Sequence, residues 1–331
     1  MQKRSLGGEP TMTRLMTAAA LGLVMATAGA ASAQDWPKRA VDMVVAYGAG
    51  GGTDTIARQL AEPMSASLGQ PVVVKNLAGA GGTIGAAAVA GAEPDGYTLY
   101  MMAAGHSVAA AMYKELPYDP AEDFVGVSGI ATMPLVLITR PDSEIDSVAT
   151  LVEKAKADPG GLTIASVGVG STQHLTAALI ASELGIELLE IPYAKTPEGL
   201  AAVMSGEVDM MVEVASTVIG QIGSGDLRGI GVTSTEPHPA IPEVGTFTAA
   251  GYDLDVSTWY GVAAPAGTDE AILSAASAAV GEATKSEAFA KSLEEGGFIL
   301  APSSPEAFTQ KFRDAVGVWK TVREAAGIAQ N

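Results

Sequence analysis

The chain has 331 residues, no cysteine, 19 Lys plus Arg against 37 Asp plus Glu, and a net charge of −18. The missing cysteine excludes disulfides, thiolate chemistry and a lipid-anchored cysteine, and the acidic balance argues against nucleic acid or an anionic membrane surface as partner. A length of roughly 300 residues after any leader is the usual size of two domains, and 48% hydrophobic residues suffice for two cores.

In chain order, the first feature is a targeting segment. Lys3, Arg4 and Arg14 form a positive region, 15–30 is apolar and alanine-rich, and Ala31-Ser32-Ala33 fits the small-x-small cleavage rule. The expected cut follows Ala33, and a start at Met12 would leave the same signal intact. No second long apolar stretch follows that would serve as a membrane span. Removing residues 1–33 takes away Lys3, Arg4, Arg14 and Glu9 and lowers the net charge to −20.

Beyond residue 34, strands and helices alternate. Short β-branched runs predict strands at 42–47, 71–75, 97–102, 125–131, 134–140, 162–166, 188–192, 208–213, 228–233 and 257–264. Helical patterns fall at 53–69, 83–92, 147–157, 172–185, 197–205, 269–283, 286–294 and 304–326. Ile56, Leu60, Met64 and Leu68 form a buried stripe in the first helix. Ser304-Pro305 opens the last one, with Phe308, Phe312, Val316 and Trp319 on one face. Such alternation implies an α/β fold with parallel sheets covered by helices on both faces.

Two glycine-rich turns stand out. Gly48-Ala49-Gly50-Gly51-Gly52-Thr53-Asp54 follows the run 43–47, and Gly79-Ala80-Gly81-Gly82-Thr83-Ile84-Gly85 follows Val72-Val73-Val74. A strand, a glycine turn and a helix start together make an anion site: glycine permits close backbone approach, and the free N–H groups and dipole favour negative charge. In open α/β sheets ligands sit beyond the carboxyl ends of strands, where both turns lie. A third turn, 168–171, leads into Thr172-Gln173-His174, where Ser171 or Thr172 can cap a helix and still offer a hydroxyl. Glu213 closes an apolar strand and is either a solvated strand end or a pocket wall.

Other chemistry is poorly supported. Neither turn completes G-x-G-x-x-G, because positions 53 and 84 are Thr53 and Ile84, and no Gly-Lys pair exists for a P-loop. His106, His174 and His238 are far apart and show no zinc spacing, so no metal or cofactor is expected. Asp54 reads as a helix cap or dipole partner, and His174 as a structural residue bonded to its loop. The enzyme alternative rests on Ser171 and His174, three residues apart with no third partner.

The segment 44–54 resembles the VVPFPPGGxxD signature of the Bug (TctC-like) extracytoplasmic solute receptors. The resemblance continues through 68–76, Gly79 to Gly85, 94–99, 116–120, 170–175, Ile191-Pro192-Tyr193, 206–209 and 259–268. It implies a two-lobed periplasmic binding protein fold of type II-like form, with two crossing strands and the ligand in the interlobe cleft. Lobe 1 would be 34–134 plus 259–331 and lobe 2 would be 135–258. The implied function is capture of a small organic carboxylate in the periplasm for a tripartite tricarboxylate-type transporter, by a monomer without enzymatic activity. The alternative is a receptor feeding a sensor kinase. Carried over from the family, the ligand contacts are Tyr47, Gly48, Ala49, Gly50 and Gly51 in the first turn, Gly81, Gly82 and Thr83 in the second, and Ser171 and Thr172 opposite. Thr53, His106 and Glu213 complete the expected set. The chain departs from the family where Gly48-Ala49 replaces Pro-Pro, where Tyr193-Ala194-Lys195 replaces Tyr-Lys-Gly, and where Glu213 replaces an Asp that faces the ligand amine in amino-dicarboxylate binders.

Overall fold

A computed structural model describes residues 36–330 except 169 and 194. The expected leader and its cut after Ala33 lie outside the described residues.

Among the described residues ten strands form one mixed sheet. The first half contains β1 (Val41–Val45), α1 (Gly52–Leu68), β2 (Val72–Asn76), a 3-10 turn (Ala80–Gly82), α2 (Thr83–Ala90), β3 (Thr98–Ala103) and α3 (Gly105–Met112). Then come β4 (Phe124–Thr139), α4 (Val148–Ala157), β5 (Thr163–Val167), α5 (Thr172–Leu184), β6 (Leu189–Tyr193), α6 (Thr196–Ser205), β7 (Met210–Val214), α7 (Ala215–Ser224) and β8 (Arg228–Val232). The chain ends with β9 (Ser257–Pro265), α8 (Glu270–Thr284), α9 (Glu287–Glu295), β10 (Ile299–Ser303) and α10 (Pro305–Ala325).

The strand order is β2-β1-β3-β9-β4-β7-β5-β6, with β8 and β10 also pairing with β4. Two parallel triplets, β2-β1-β3 and β7-β5-β6, are therefore joined through antiparallel β9 and β4. The expected all-parallel sheets are corrected in this respect. β4 is one strand of 16 residues, where sequence periodicity suggested two. Its first part pairs with β9 and β10, and from Leu135 it pairs with β7 and β8. Pro134 sits at the changeover, opposite Ser257 at the start of β9. A residue without an N–H is tolerated where one ladder ends and the next begins. The second crossing of the chain is at 256–257: Val256 N–H still donates to Thr233 O at 2.9 Å, and Ser257 already belongs to β9.

The inner strands β1, β3, β5 and β7 are buried on both faces, as continuous apolar strands require, whereas the edge strands β2 and β6 leave Val73 and Leu189 exposed. Leu135 and Leu137 point into one cluster with Ile164, Met210 and Val212, while Val136 and Ile138 point into another with Ala165 and Met211. Around β1, Val41, Met43 and Val45 meet Ile56, Leu60 and Met64 of α1, as the stripe on that helix predicted. α10 spans both halves. Phe308 and Phe312 pack with Tyr100, Phe124 and Trp259, whereas Trp319 and Val322 pack with Leu135, Leu137 and Ile180.

Three elements escaped the periodicity. Within α3, residues 106–112 are all buried, so no polar face marks it as a helix. α7 carries Thr217, Val218 and Ile219 with Gly220 and Gly223, a composition that disfavours helix. β10 is short and contains Pro302.

Candidate functional site

The first turn is shaped by Asp54. Its carboxylate is 3% exposed and accepts from Gly50 N–H at 2.8 Å, Arg58 Nε at 2.9 Å and Asn76 Nδ2 at 2.9 Å. Asn76 Nδ2 also donates to Tyr47 O at 3.1 Å, and Arg58 Nη2 donates to Asn76 Oδ1 at 3.0 Å. One buried carboxylate thus ties both ends of the turn to β2. The bond from Arg58 holds the carboxyl down at about 2, helped by Gly50 and Asn76 and opposed by burial. Asp54 lies in the first turn of α1 as the sequence suggested, but it braces the preceding loop and makes no cap of its own helix. Gly50 adopts φ +83°, which favours glycine, and its N–H is already taken. Gly48 and Ala49 are exposed, and Thr53 is buried.

The second turn is braced by its own backbone. Gly82 N–H donates to Gly79 O at 2.9 Å, and both Thr83 N–H and Thr83 Oγ1 reach Ala80 O, the latter at 2.9 Å. Gly81 is exposed, while Gly82 and Thr83 are buried.

The Tyr47 ring links the two turns. A Cβ on Gly82 would lie 3.2 Å from Tyr47 Oη, and one on Gly105 at the start of α3 would overlap it. Tyr47 Oη is buried without a hydrogen-bond partner, and burial, then Tyr260, pushes its phenol up to about 12. α3 continues this arrangement to the other half of the chain. A Cβ on Gly81 would sit 3.4 Å from Tyr113 Oη just past α3, and one on Gly170 would sit 2.5 Å from Met112 Cε. The three glycine turns expected to share a ligand therefore converge on one short helix. Phe298 makes a second bridge: it lies 3.7 Å from where a Cβ on Gly52 would be, and it packs with core residues on both sides.

The third turn is closed by Ser171 and His174. Ser171 Oγ caps α5, accepting from His174 N–H at 3.1 Å and donating to Val167 O at 2.7 Å. His174 Nδ1 accepts from Gly170 N–H at 2.9 Å, which places the proton on Nε2, 3.2 Å from Glu190 Oε2. Glu190 also accepts from Ser166 Oγ, and these partners, His174 first, hold its carboxyl below the usual range. The imidazole locks the loop, as its sequence reading held. The serine hydroxyl is committed to a carbonyl and a backbone N–H, so the pair lacks the side-chain bond between nucleophile and base that acyl transfer requires.

Two expected contacts are placed inside the protein. His106 is 2% exposed, in an aromatic box of Tyr100, Tyr118, Phe124 and Phe312, and Nε2 bonds to Pro120 O at 2.8 Å. Burial pushes its imidazole down to about 4 against the effect of that bond. Apolar ring packing explains why it is core and not surface. Glu213 is 1% exposed and accepts from Gln173 Nε2 at 3.0 Å, Thr196 Oγ1 at 3.1 Å and Val214 N–H at 2.8 Å. A solvated strand end is thereby excluded. The carboxylate joins the starts of α5 and α6 to the end of β7. Glu213→Gln replaces an acceptor oxygen with a donor among these three donors, so a stability loss of about 1–3 kcal/mol is expected in urea denaturation; an unchanged midpoint would contradict this role.

Among the described residues no cluster of His, Cys, Asp or Glu could hold a metal ion. The glycine turns and helix starts are of the kind that offers backbone donors to an acceptor-rich ligand, while the hydroxyls of Thr83 and Ser171 are given to Ala80 O and Val167 O.

The fold is of the two-lobed periplasmic binding protein type. The family model for the tripartite tricarboxylate transporter family receptor, TctC, matches residues 56–328, and the chain belongs to that family. It is 35% identical over 322 residues to Protein BugT of Bordetella pertussis, covering 96% of this chain and 98% of BugT. Among solved structures it is similar to the periplasmic binding protein BugD (33% identity, TM-score 0.68, 89% of this chain and 100% of that one). It is also similar to MatC from Rhodopseudomonas palustris with bound malate (30% identity, TM-score 0.67, 87% of this chain and 99% of that one).

Proposed function

We propose that this chain is secreted to the periplasm with its leader cut after Ala33. As a monomer it captures a small organic carboxylate for the membrane subunits of a tripartite tricarboxylate-type transporter. The lobes would be 34–134 plus 259–331 and 135–258, closing on the ligand as a hinged pair. The observation that carries this reading is the convergence of three glycine turns on α3, supported by malate in the related MatC. In this reading the ligand meets the backbone of Tyr47 to Gly51 with Thr53, the backbone of Gly81 to Thr83, and Ser171 and Thr172 at the start of α5, with the Thr172 hydroxyl as donor because that of Ser171 is given to Val167 O. His106 and Glu213 act from behind, holding the elements that carry these groups. The ligand stabilises the closed form only by its differential affinity for it. Binding does the work, and no bond is made or broken.

The test is a thermal-shift panel of aromatic acids, dicarboxylates, tricarboxylates and amino acids. Binding to the folded state alone raises the melting temperature with the logarithm of ligand excess. A rise confined to one chemical class is the expected result. No rise for any carboxylate would remove the glycine turns from the role of anion site.

A further inference from the structure

His238 is a buried imidazole with no part in the ligand contacts described above. It is 3% exposed and lies between β8 and β9, in a segment whose Ile241 and Val244 join Met211 and Val218 in one core cluster. Both ring nitrogens are engaged. Nδ1 accepts from Ala240 N–H at 3.1 Å, which puts the proton on Nε2, and Nε2 donates to Gly297 O at 2.9 Å. This bond crosses between the halves of the chain. His238 falls within 135–258, whereas Gly297 lies in the turn between α9 and β10, and β10 pairs with the first part of β4.

That turn is fitted to the other half at more than one point. Gly297 adopts φ +75°, and a Cβ there would lie 3.1 Å from both Cα and Cβ of Ser216 at the start of α7. Only glycine sits easily in that backbone and that close to a neighbour. Phe298, the next residue, stands edge-on to Tyr260 with ring centroids 5.3 Å apart and faces Gly52 at the start of α1. The chain itself crosses between the halves at 134 and at 256–257. The 296–298 turn adds a noncovalent connection, and this one abuts the first glycine turn.

We propose that His238 is a positioning residue for capture. By holding Gly297 O it keeps the lobes in the arrangement where the three glycine turns converge, and it touches no ligand. The inference rests on the two-lobed capture reading. A change in the angle between the lobes moves His238 and Ser216 relative to Gly297, so the bond and the close packing there favour the arrangement seen here. A protein that spends a smaller fraction of its time in the competent arrangement binds every ligand more weakly by that fraction, with its selectivity unchanged.

The test places spin labels at Ala88→Cys on α2 and Ala201→Cys on α6, both exposed, in a chain with no other cysteine. The distance between them is measured without ligand, and two carboxylates are titrated calorimetrically. His238→Leu removes both ring bonds, and His238→Gln restores a donor for Gly297 O. His238→Leu should broaden the distance distribution and weaken both carboxylates by one common factor of about threefold to tenfold, the net effect of a hydrogen bond. His238→Gln should recover most of that loss. Gly297→Ala, which presses a Cβ against Ser216, should act in the same direction, and it carries the test if His238→Leu does not stay folded. Wild-type distances and affinities in His238→Leu overturn the proposal. A loss confined to one carboxylate, or a His238→Gln variant no better than His238→Leu, overturns it as well. If the wild type binds no carboxylate, the capture reading fails by itself, and the distances alone decide the role of His238.

Discussion

Asp54→Ala should abolish carboxylate capture and lower stability by about 1–3 kcal/mol, because it removes the shared acceptor of three hydrogen bonds. The carboxylate is the one group that touches Gly50, Arg58 and Asn76 together, and Asn76 in turn holds Tyr47 O. Without it the first turn loses its attachment to β2, and a donor set that is not held in place binds weakly. Urea unfolding with calorimetric titration of the carboxylate found in the panel measures both effects. Wild-type affinity in the variant would show that the turn needs no brace. The same group predicts a pH dependence. Its folded pKa of about 2 lies below its ordinary value of 3.8. As pH falls, the unfolded chain takes the proton first, so the stabilisation is complete above about pH 4 and is lost as pH approaches 2. The stability difference between wild type and Asp54→Asn should therefore be constant above that window and shrink within it.

His106 gives the second large effect, at milder pH. Its folded pKa of about 4 lies below the ordinary 6.5 because burial penalises the charged ring. Between these values the unfolded chain binds a proton and the folded chain does not. Stability must then fall as pH drops from 6.5 to 4, by up to about 3 kcal/mol from this group alone. His106→Phe keeps an aromatic ring in the box but gives up the bond to Pro120 O. It should be less stable than wild type at pH 7 and show a shallower decline toward pH 4. Urea midpoints at pH 7, 5.5 and 4 decide this. The other titrating groups are common to both proteins and cancel in the comparison, so equal slopes would mean that the ring is charged inside the fold.

The parts of this protein that local sequence rules can reach were legible. The stripe Ile56, Leu60 and Met64 and the opening Ser304-Pro305 follow directly from helical period and capping chemistry, and both are realised. Ser171 as the cap of α5 is equally local. What escaped depends on contacts distant in sequence. Asn76 reaches Asp54 across 22 residues, and the box around His106 draws on Tyr100, Phe124 and Phe312. No spacing rule announces either, so Asp54 reads as an ordinary helix-start acid and His106 as an available polar side chain. Pro134 shows the opposite failure: it reads as the start of a second strand and instead marks where the single strand β4 changes partners. The positions of the glycine turns were readable, but which of their N–H groups are already engaged, as at Gly50, Gly82 and Thr83, was not.

The continuity of β4 has a consequence for how the molecule comes apart. Residues 124–133 hold one half of the sheet together through β9 and β10, and 135–139 hold the other half through β7 and β8. Melting either half frees part of a strand on which the other depends, and α10 is shared in the same way through Phe312 and Trp319. The two lobes are thereby coupled into a single cooperative unit. Neither can be excised as a self-sufficient fragment, and heating should give one calorimetric transition with no half-folded plateau.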